Sequence, residues 1–202
     1  MKISQHLQCL GLSAALFLVA TAGLQAGEPS KQLKSTTDKL LAVLEKPELK
    51  GEDKQDQRRN KLGDILRERF ALRQMARLTI RTPEWNQASE QQKERFFDLF
   101  GRLLERTYLD EIDNQYEGQT ITFGEENIQG RTGTVKSIIK RDDADNLPIT
   151  YRVLKRGDKW VIYDVGIDDV SLVGNYKDQF AEILEGADFD ELLAKLEDKL
   201  IP

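Results

Sequence analysis

The first half of the chain places apolar residues at the three-to-four-residue spacing that is typical of amphipathic helices. Residues 30–45 carry four leucines on one side, and a polar break over 46–53 separates this helix from the next. Two further helices follow, with apolar positions that extend to Ile80. We expect Thr82-Pro83 to end the third helix, because the residue before a proline is pushed out of the helical region.

A longer helix begins after Ser89, which forms a capping-box pattern with Gln92. Its apolar positions are Phe96, Phe97, Leu99, Phe100, Leu103, Leu104, Tyr108 and Leu109. This stripe is wider than a coiled-coil seam, so we expect the helix to be covered on more than one side. Gly101 in its middle costs about 1 kcal/mol relative to alanine, which indicates close approach of a neighbouring backbone or a ligand.

From residue 119 onward apolar residues alternate with polar ones, which is the pattern of half-buried strands. Residues 156–159 (Arg-Gly-Asp-Lys) have the composition of a hairpin turn, and the strand over 160–167 is apolar on nearly all of one face. Short connections between consecutive strands favour an antiparallel sheet. Two helices, beginning near residues 171 and 188, close the chain. This order of elements predicts a single α+β domain.

The N-terminus has the features of a secretory signal peptide. Lys2 is the only charged side chain in the first 27 residues, and an apolar run over 10–20 precedes small residues. The run is too short to span a bilayer, which needs roughly 20 apolar residues. Cleavage after Ala22 or, as we prefer, after Ala26 would leave residues 27–202 as one domain. An uncleaved anchor is the alternative interpretation.

Composition narrows the chemistry that the mature chain can perform. The single cysteine, Cys9, and the single histidine, His6, both lie in the predicted signal peptide. The remainder lacks the usual zinc, copper and iron ligands, a cysteine nucleophile and an imidazole base. We therefore predict no metal site, no cofactor and no enzymatic activity, but a soluble binding or carrier protein. The net charge of −5 argues against nucleic-acid binding.

Three carboxylates lie around the end of the last long strand, at Asp164, Asp168 and Asp169. Paired carboxylates can serve acid–base catalysis or hold a hard cation. The adjacent Asp168 and Asp169 should point in different directions on an extended segment, so capping and turn hydrogen bonds are the favoured interpretation. We expect Asp164 to pair with a basic side chain or with backbone amides.

Four arginines, Arg69, Arg73, Arg77 and Arg81, recur at intervals of four residues. On a continuous helix they would lie roughly on one face as mutually repelling charges. Either carboxylates elsewhere in the fold pair with them, or they form a docking face for a partner or for lipid phosphates; Arg73, Arg77 and Arg81 are the candidates for that contact. A helix break near residues 70–71 would remove Arg69 from the row.

Two stretches of the sequence together resemble the MlaC family, also called the toluene-tolerance auxiliary component. The first contains Met75-Ala76-Arg77, Trp85, Ser89-Glu90-Gln91-Gln92, Phe96, Phe100, Leu103-Leu104 and Thr107-Tyr108. The second contains Leu147-Pro148-Ile149, Tyr151-Arg152, Trp160, Tyr163-Asp164-Val165, Gly166 through Val173, Asn175-Tyr176 and Gln179-Phe180. The chain departs from the family at Ala71, where an acidic residue is common, and at Asp169, where glycine is frequent.

The resemblance implies a periplasmic phospholipid carrier without catalytic groups. It would be a monomer that passes lipid between an outer-membrane lipoprotein–porin complex and an inner-membrane ABC transporter bearing a lipid-binding domain, through transient contacts. The implied fold is a twisted antiparallel sheet of about four to five strands, wrapped by N-terminal and C-terminal helices, with an apolar lipid cavity between. A carboxylate-dependent lipid hydrolase and a non-lipid periplasmic interaction or chaperone protein are the alternatives.

Apolar positions on the long helix and the last strands can form either a packed core or a lipid cavity, and periodicity does not distinguish them. From the predicted faces we expect twelve residues to line the lipid cavity. They are Phe96, Phe100, Leu103, Tyr108, Tyr151, Val153, Val165, Ile167, Val170, Leu172, Val173 and Tyr176.

Overall fold

The computed structural model describes residues 27–141 and 144–200 and shows an α+β fold. Its helices are α1 (Glu28–Leu44), α2 (Gln55–Arg69), α3 (Leu72–Leu78), α4 (Thr82–Gln87), α5 (Glu90–Gln115), α6 (Leu172–Gly186) and α7 (Phe189–Asp198). Its strands are β1 (Thr120–Gln129), β2 (Thr132–Lys140), β3 (Leu147–Arg156), β4 (Lys159–Ile167) and β5 (Val170–Ser171). The predicted fold class is confirmed, whereas the predicted signal peptide lies outside the described residues.

The five strands form one antiparallel meander in sequence order. Each strand pairs with the next in the chain, so the connections are short, as the sequence predicts. Gly157 adopts a positive φ of 59° in the turn between β3 and β4, a conformation that glycine adopts without steric cost. Ile149 pairs with Ile167 and Tyr151 with Val165, which places these apolar residues side by side across two strands.

Helix boundaries follow from local sequence chemistry. The capping box is present: Ser89 accepts from the Gln92 amide while the Gln92 side chain accepts from the Ser89 amide, and α5 begins there. The prediction for Thr82-Pro83 is wrong, because the third helix ends at Leu78 and Thr82-Pro83 instead begins α4. Proline is favoured in the first turn of a helix, where its missing N–H would have no intrahelical partner.

The helices pack among themselves into one large apolar core. At its centre the rings of Phe96 and Phe100 contact Phe180, with centroids 5.8 and 6.2 Å away. Phe189 lies 5.7 Å from Phe96, and Tyr176 lies 5.4 Å from Phe100. Such pairs add about 0.5–1.5 kcal/mol each beyond the area that they bury. This region, which we call the aromatic core, fixes α5 against α6 and α7.

Gly101 has no atom within 4 Å of where a Cβ would stand, so the expected close approach of a backbone is absent among the described residues. None of the described helices is long and apolar enough to cross a membrane.

Candidate functional site

A cavity of about 390 Å³ lies between one face of the sheet and the helices α1, α2 and α5. This volume falls in the roughly 300–1,000 Å³ range of small-molecule sites. Most of the lining is aliphatic or aromatic. The apolar residues of the helices are Leu33, Leu40, Leu41, Leu44, Leu66, Leu72, Met75, Leu104, Tyr108, Ile112 and Leu172. Phe70 lies between α2 and α3, Tyr116 follows α5, and those of the sheet are Ile121, Ile139, Leu147, Ile149, Tyr151, Ile162, Val165 and Ile167.

The cavity is enclosed at one end and polar at the other. At the enclosed end Leu33, Met75 and Ile162 are each no more than 3% exposed. At the opposite end the exposed side chains of Gln115 and Arg141 join the lining. On β4 the cavity extends from residue 162 to residue 167, which is about 17 Å at 3.3 Å per residue. The cavity is therefore an elongated apolar slot. Its polar end, at Gln115 and Arg141, is exposed to solvent, and we call it the mouth.

Helix α1 forms one wall and is held by side chains of the sheet. The Glu126 carboxylate accepts hydrogen bonds from the backbone N–H (3.0 Å) and the hydroxyl (2.5 Å) of Ser30 at the start of the helix. Carboxylates are favoured at helix N-termini, where backbone N–H groups lack partners. Gln32 accepts from the Trp160 amide and donates to the Asp158 carbonyl, both at 2.9 Å. These bonds fix the α1 wall against β1 and β4.

A buried ion pair fixes the second wall. The Arg58 guanidinium of α2 binds the Asp113 carboxylate of α5 through two hydrogen bonds, one of them 2.7 Å long. The Asp113 side chain is only 1% exposed, and hydrogen bonding to it raises the pKa of Arg58. Removing one partner of a buried pair leaves an uncompensated charge, which makes this contact a strong determinant of the α2–α5 distance.

Two tyrosines, Tyr108 and Tyr151, contribute phenol groups to the slot lining. Burial raises the pKa of Tyr108 to about 12, and a hydrogen bond with Tyr176 adds to this shift. Burial also raises the pKa of Tyr151, whose ring stacks on Phe123 at 6.2 Å. Both phenols are therefore neutral at physiological pH. The carboxylates of the lining, Glu105 and Glu111, belong to α5.

Five of the twelve predicted residues line the slot: Tyr108, Tyr151, Val165, Ile167 and Leu172. Five others belong to the packed helical core: Phe96, Phe100, Leu103, Val173 and Tyr176. Val153 is fully buried in the core under the sheet, and Val170 is 61% exposed beside the final turn. The apolar stripe of α5 faces both the helical core and the slot. Only its residues from Leu104 onward line the slot.

Sequence reasoning did not assign the α1 leucines and the first two strands to the site. Leu33, Leu40, Leu41 and Leu44 share one helix face in the sequence, and Ile121 and Ile139 lie on apolar strand faces. Those patterns showed that the residues are covered. They did not show that a cavity, rather than a side chain, covers them.

The arginine row is interrupted and internally paired. The backbone leaves the helical region at Phe70, so Arg69 ends α2 and the others belong to α3 and the start of α4. Arg73 binds Glu94 through two bonds of 2.6 and 2.7 Å and covers a phenylalanine ring. Arg77 donates to the Ile80 carbonyl at 2.9 Å, and Arg81 pairs with Glu84 at 2.6 Å. Each of Arg73, Arg77 and Arg81 thus has a partner within the fold.

Asp164 is a structural anchor. Its buried carboxylate accepts from the amides of Val165 and Val173 at 2.9 and 3.0 Å and from the Ser171 hydroxyl at 2.6 Å. Arg152 lies 3.7 Å away. These bonds tie β4 to the N-terminus of α6, which matches the expected pairing with amides and a basic side chain and occupies the carboxylate.

The other two carboxylates of this group lie in a turn. Asp168 and Asp169 have positive φ values of 48° and 62° and connect β4 to β5. Within residues 27–141 and 144–200, no cluster of three or more His, Cys, Asp or Glu side chains could hold a metal ion.

The comparisons with known proteins identify the class to which this fold and slot belong. The sequence matches the family described as MlaC protein over residues 34–198. The chain belongs to the MlaC family. A search of curated protein sequences found no match.

One solved structure that resembles the chain is a phospholipid-binding protein from Ralstonia solanacearum, determined in complex with a phospholipid. The two share 24% sequence identity and superpose with a TM-score of 0.74, over 86% of this chain and 97% of the other. At this identity the likeness establishes the shared fold.

Proposed function

We propose that this protein is a phospholipid-binding carrier whose slot encloses acyl chain. The single observation that supports this most is the elongated apolar cavity of about 390 Å³ between the sheet and α1, α2 and α5. Membership of the MlaC family and the resemblance to a phospholipid-binding protein of the same fold point to the same cargo.

The free energy of an exposed lipid tail explains why a carrier needs such a slot. Each methylene transferred from a bilayer into water costs about 0.8 kcal/mol, so a dozen cost on the order of 10 kcal/mol. The enclosed end, around Leu33, Met75 and Ile162, replaces the bilayer for the tail. The polar mouth at Gln115 and Arg141 leaves the headgroup in water, where its charges stay solvated.

The proposed setting is the periplasm, reached through the predicted signal peptide. There the protein would exchange lipid between an outer-membrane lipoprotein–porin complex and an inner-membrane ABC transporter with a lipid-binding domain. A binding role rather than catalysis agrees with the slot, whose polar groups include neutral phenols, a hydrogen-bonded arginine and the ion pair of Arg67 with Glu105. Asp164, the carboxylate that a hydrolase would need, is already engaged by three donors.

The experiment is a purification of the exported protein without detergent, followed by solvent extraction and mass spectrometry of the extract. Intact phospholipid near one molecule per protein is the expected result. Lyso-lipid that disappears in Asp164→Asn would instead support a hydrolase, and an extract without lipid would support a non-lipid interaction protein.

Transfer is tested separately, with lipid-loaded protein and acceptor vesicles. Replacing Arg73 and Arg77 by glutamate should leave bound lipid in place and slow transfer, because neither residue lines the slot and both are at least partly exposed on α3. Unchanged transfer in this double variant would remove these arginines from the docking surface.

A further inference from the structure

The slot lining contains one half-buried cation, Arg69, whose charge the carrier function does not use. Arg69, at the end of α2, lines the slot among apolar side chains. Partial burial lowers the pKa of its guanidinium, an effect that the charge of the neighbouring Glu68 opposes. A cation in an apolar wall normally has a carboxylate partner, because an unpaired buried charge is costly.

The partners of Arg69 within the described residues are neutral. Its Nε donates to the Thr36 hydroxyl at 2.9 Å, and its Nη1 donates to the Gln32 amide oxygen at 2.9 Å and to the Trp160 carbonyl at 2.6 Å. None of the ion pairs found within 4.0 Å between residues 27–141 and 144–200 includes Arg69.

Other arginines near the slot behave differently. Arg58 pairs with Asp113, and Arg67, which also lines the slot, binds both Glu105 and Asp64. Those contacts neutralise the guanidinium within the protein. Arg69, by contrast, has no carboxylate at ion-pair distance among the described residues, and its Nη2 makes no hydrogen bond there.

The position of Arg69 defines the shape of a suitable ligand. Its contacts with Thr36 and Trp160 place it at the enclosed end, near the start of β4, whereas the mouth lies toward residue 167. A ligand that enters at the mouth reaches Arg69 with its anionic end first and leaves an apolar chain behind it in the slot.

We propose that the slot also binds long-chain fatty acids, with the ligand carboxylate against Nη2 of Arg69 and the alkyl chain extending toward the mouth. This second ligand class uses the same slot as the proposed phospholipid cargo but the opposite orientation. A carboxylate ends the chain with two oxygens and no further polar atoms. A phospholipid headgroup brings a phosphodiester and ester carbonyls, more acceptors than one Nη2 can satisfy at a buried end.

The decisive comparison keeps the protein native and changes the ligand. Lipid-stripped protein is titrated with palmitic acid and with methyl palmitate, each below its aggregation limit, by displacement of a fluorescent hydrophobic probe at neutral pH. The two ligands share their chain and differ in charge. We expect the acid to bind about tenfold tighter or more, the ratio that one hydrogen bond to a charged group provides. Equal affinities would overturn the proposal.

Variants then assign the preference to one side chain. In Arg69→Gln the acid-to-ester ratio should fall to near one, while the matched control Arg67→Gln, on the same slot but paired within the protein, should keep it. Palmitic acid labelled with ¹³C at the carboxyl adds a direct readout. The bound carboxylate should stay ionised to lower pH in the native protein than in Arg69→Gln.

The outcomes separate this proposal from the carrier function. Phospholipid in the extract together with equal binding of acid and ester would retain the carrier and reject the fatty-acid site. A strong preference for the acid together with an extract free of phospholipid would do the reverse. If Arg69→Gln does not fold, the comparison of acid with ester on the native protein decides the proposal alone.

Discussion

Two apolar regions of this molecule share helix α5 and differ in what fills them. On one side, Phe96 and Phe100 contact the rings of α6 and α7, and both are fully buried by the protein itself. On the other side, Leu104, Tyr108 and Ile112 face a cavity of about 390 Å³. The residues are equally apolar in both places. The difference lies in the partners. Aromatic rings of α6 and α7 pack directly on α5, whereas the cavity separates the leucines of α1 from the sheet.

This difference gives the two regions separate tasks. The aromatic core holds the helices in place, and the ion pair of Arg58 with Asp113 and the bonds of Ser30 to Glu126 hold the walls of the slot. These contacts lie outside the slot lining, so we expect stability to depend on them more than on the residues that face the slot. The same type of substitution should therefore have different effects on stability and on lipid content in the two regions.

The largest effect is expected from Phe100→Ala in the aromatic core. Truncating a fully buried phenylalanine leaves a cavity among Phe96, Tyr176 and Phe180, so the free energy of unfolding should fall by about 3–5 kcal/mol. Urea denaturation measures this loss. Lipid content at low temperature, where the variant remains folded, should be unchanged; loss of lipid from folded protein would place Phe100 in the lipid site.

A substitution that places a larger side chain in the slot tests the difference in packing between the slot and the core. In Val165→Trp the larger side chain should fill part of the slot. Lipid recovered per protein should therefore fall several-fold, while the unfolding free energy should change by less than about 1 kcal/mol. The matched control is Val135→Trp, at a position that is fully buried in the packed core under the sheet. Overpacking there should cost about 1–3 kcal/mol. Equal destabilisation of both variants would show that the slot is as tightly packed as the core.

The contrast between core and slot also shows which features of the fold could be predicted from the sequence. The spacing of the α1 leucines, the capping box at Ser89 and the alternation along β3 predicted elements that the structure confirms, since each depends on local chemistry. The distribution of α5 residues between core and slot depends on how far a neighbouring helix stands away. Burial patterns look the same in either case, so Phe96 and Tyr108 could not be told apart.

The arginines show the same limit. A helix break near residues 70–71 could be foreseen from the sequence as the event that removes Arg69 from the row, and it occurs at Phe70. Nothing in the spacing identified the hydrogen-bond partners of Arg69. Those partners come from α1 and β4, Gln32 and the Trp160 carbonyl among them, which are distant in the chain. Contacts of that range follow from the fold and not from periodicity.

A smaller contrast is expected between two leucine truncations. Leu193→Ala, in the helical core, removes a fully buried side chain and should cost about 2–5 kcal/mol. Leu40→Ala faces the slot and already borders open space, so its cost in lipid-free protein should be below about 2 kcal/mol. Thermal unfolding with and without added lipid gives both values, and lipid should increase the cost at Leu40 alone.

The partly buried Tyr108 in the slot should make the free energy of unfolding depend on pH. Burial raises the pKa of Tyr108 from its ordinary 10.0 to about 12, so the folded protein favours the neutral phenol. The resulting stabilisation is fully present below pH 10 and is lost as the pH rises toward 12. Urea denaturation across this window should show a shallower decline for Tyr108→Phe than for the native protein. An identical decline would mean that Tyr108 ionises as freely as in the unfolded chain.

The smallest effect concerns the side of α5 that faces neither region. A Cβ at Gly101 would meet no atom within 4 Å, so an alanine there needs no repacking of the aromatic core or of the slot. Alanine is favoured over glycine in a helix interior by about 1 kcal/mol, and Gly101→Ala should raise the unfolding free energy by up to that amount. Lipid content should not change, because the added methyl group lies outside the slot lining. Destabilisation, or loss of lipid, would reveal a close partner of Gly101, such as bound lipid, and α5 would then have three covered sides instead of two.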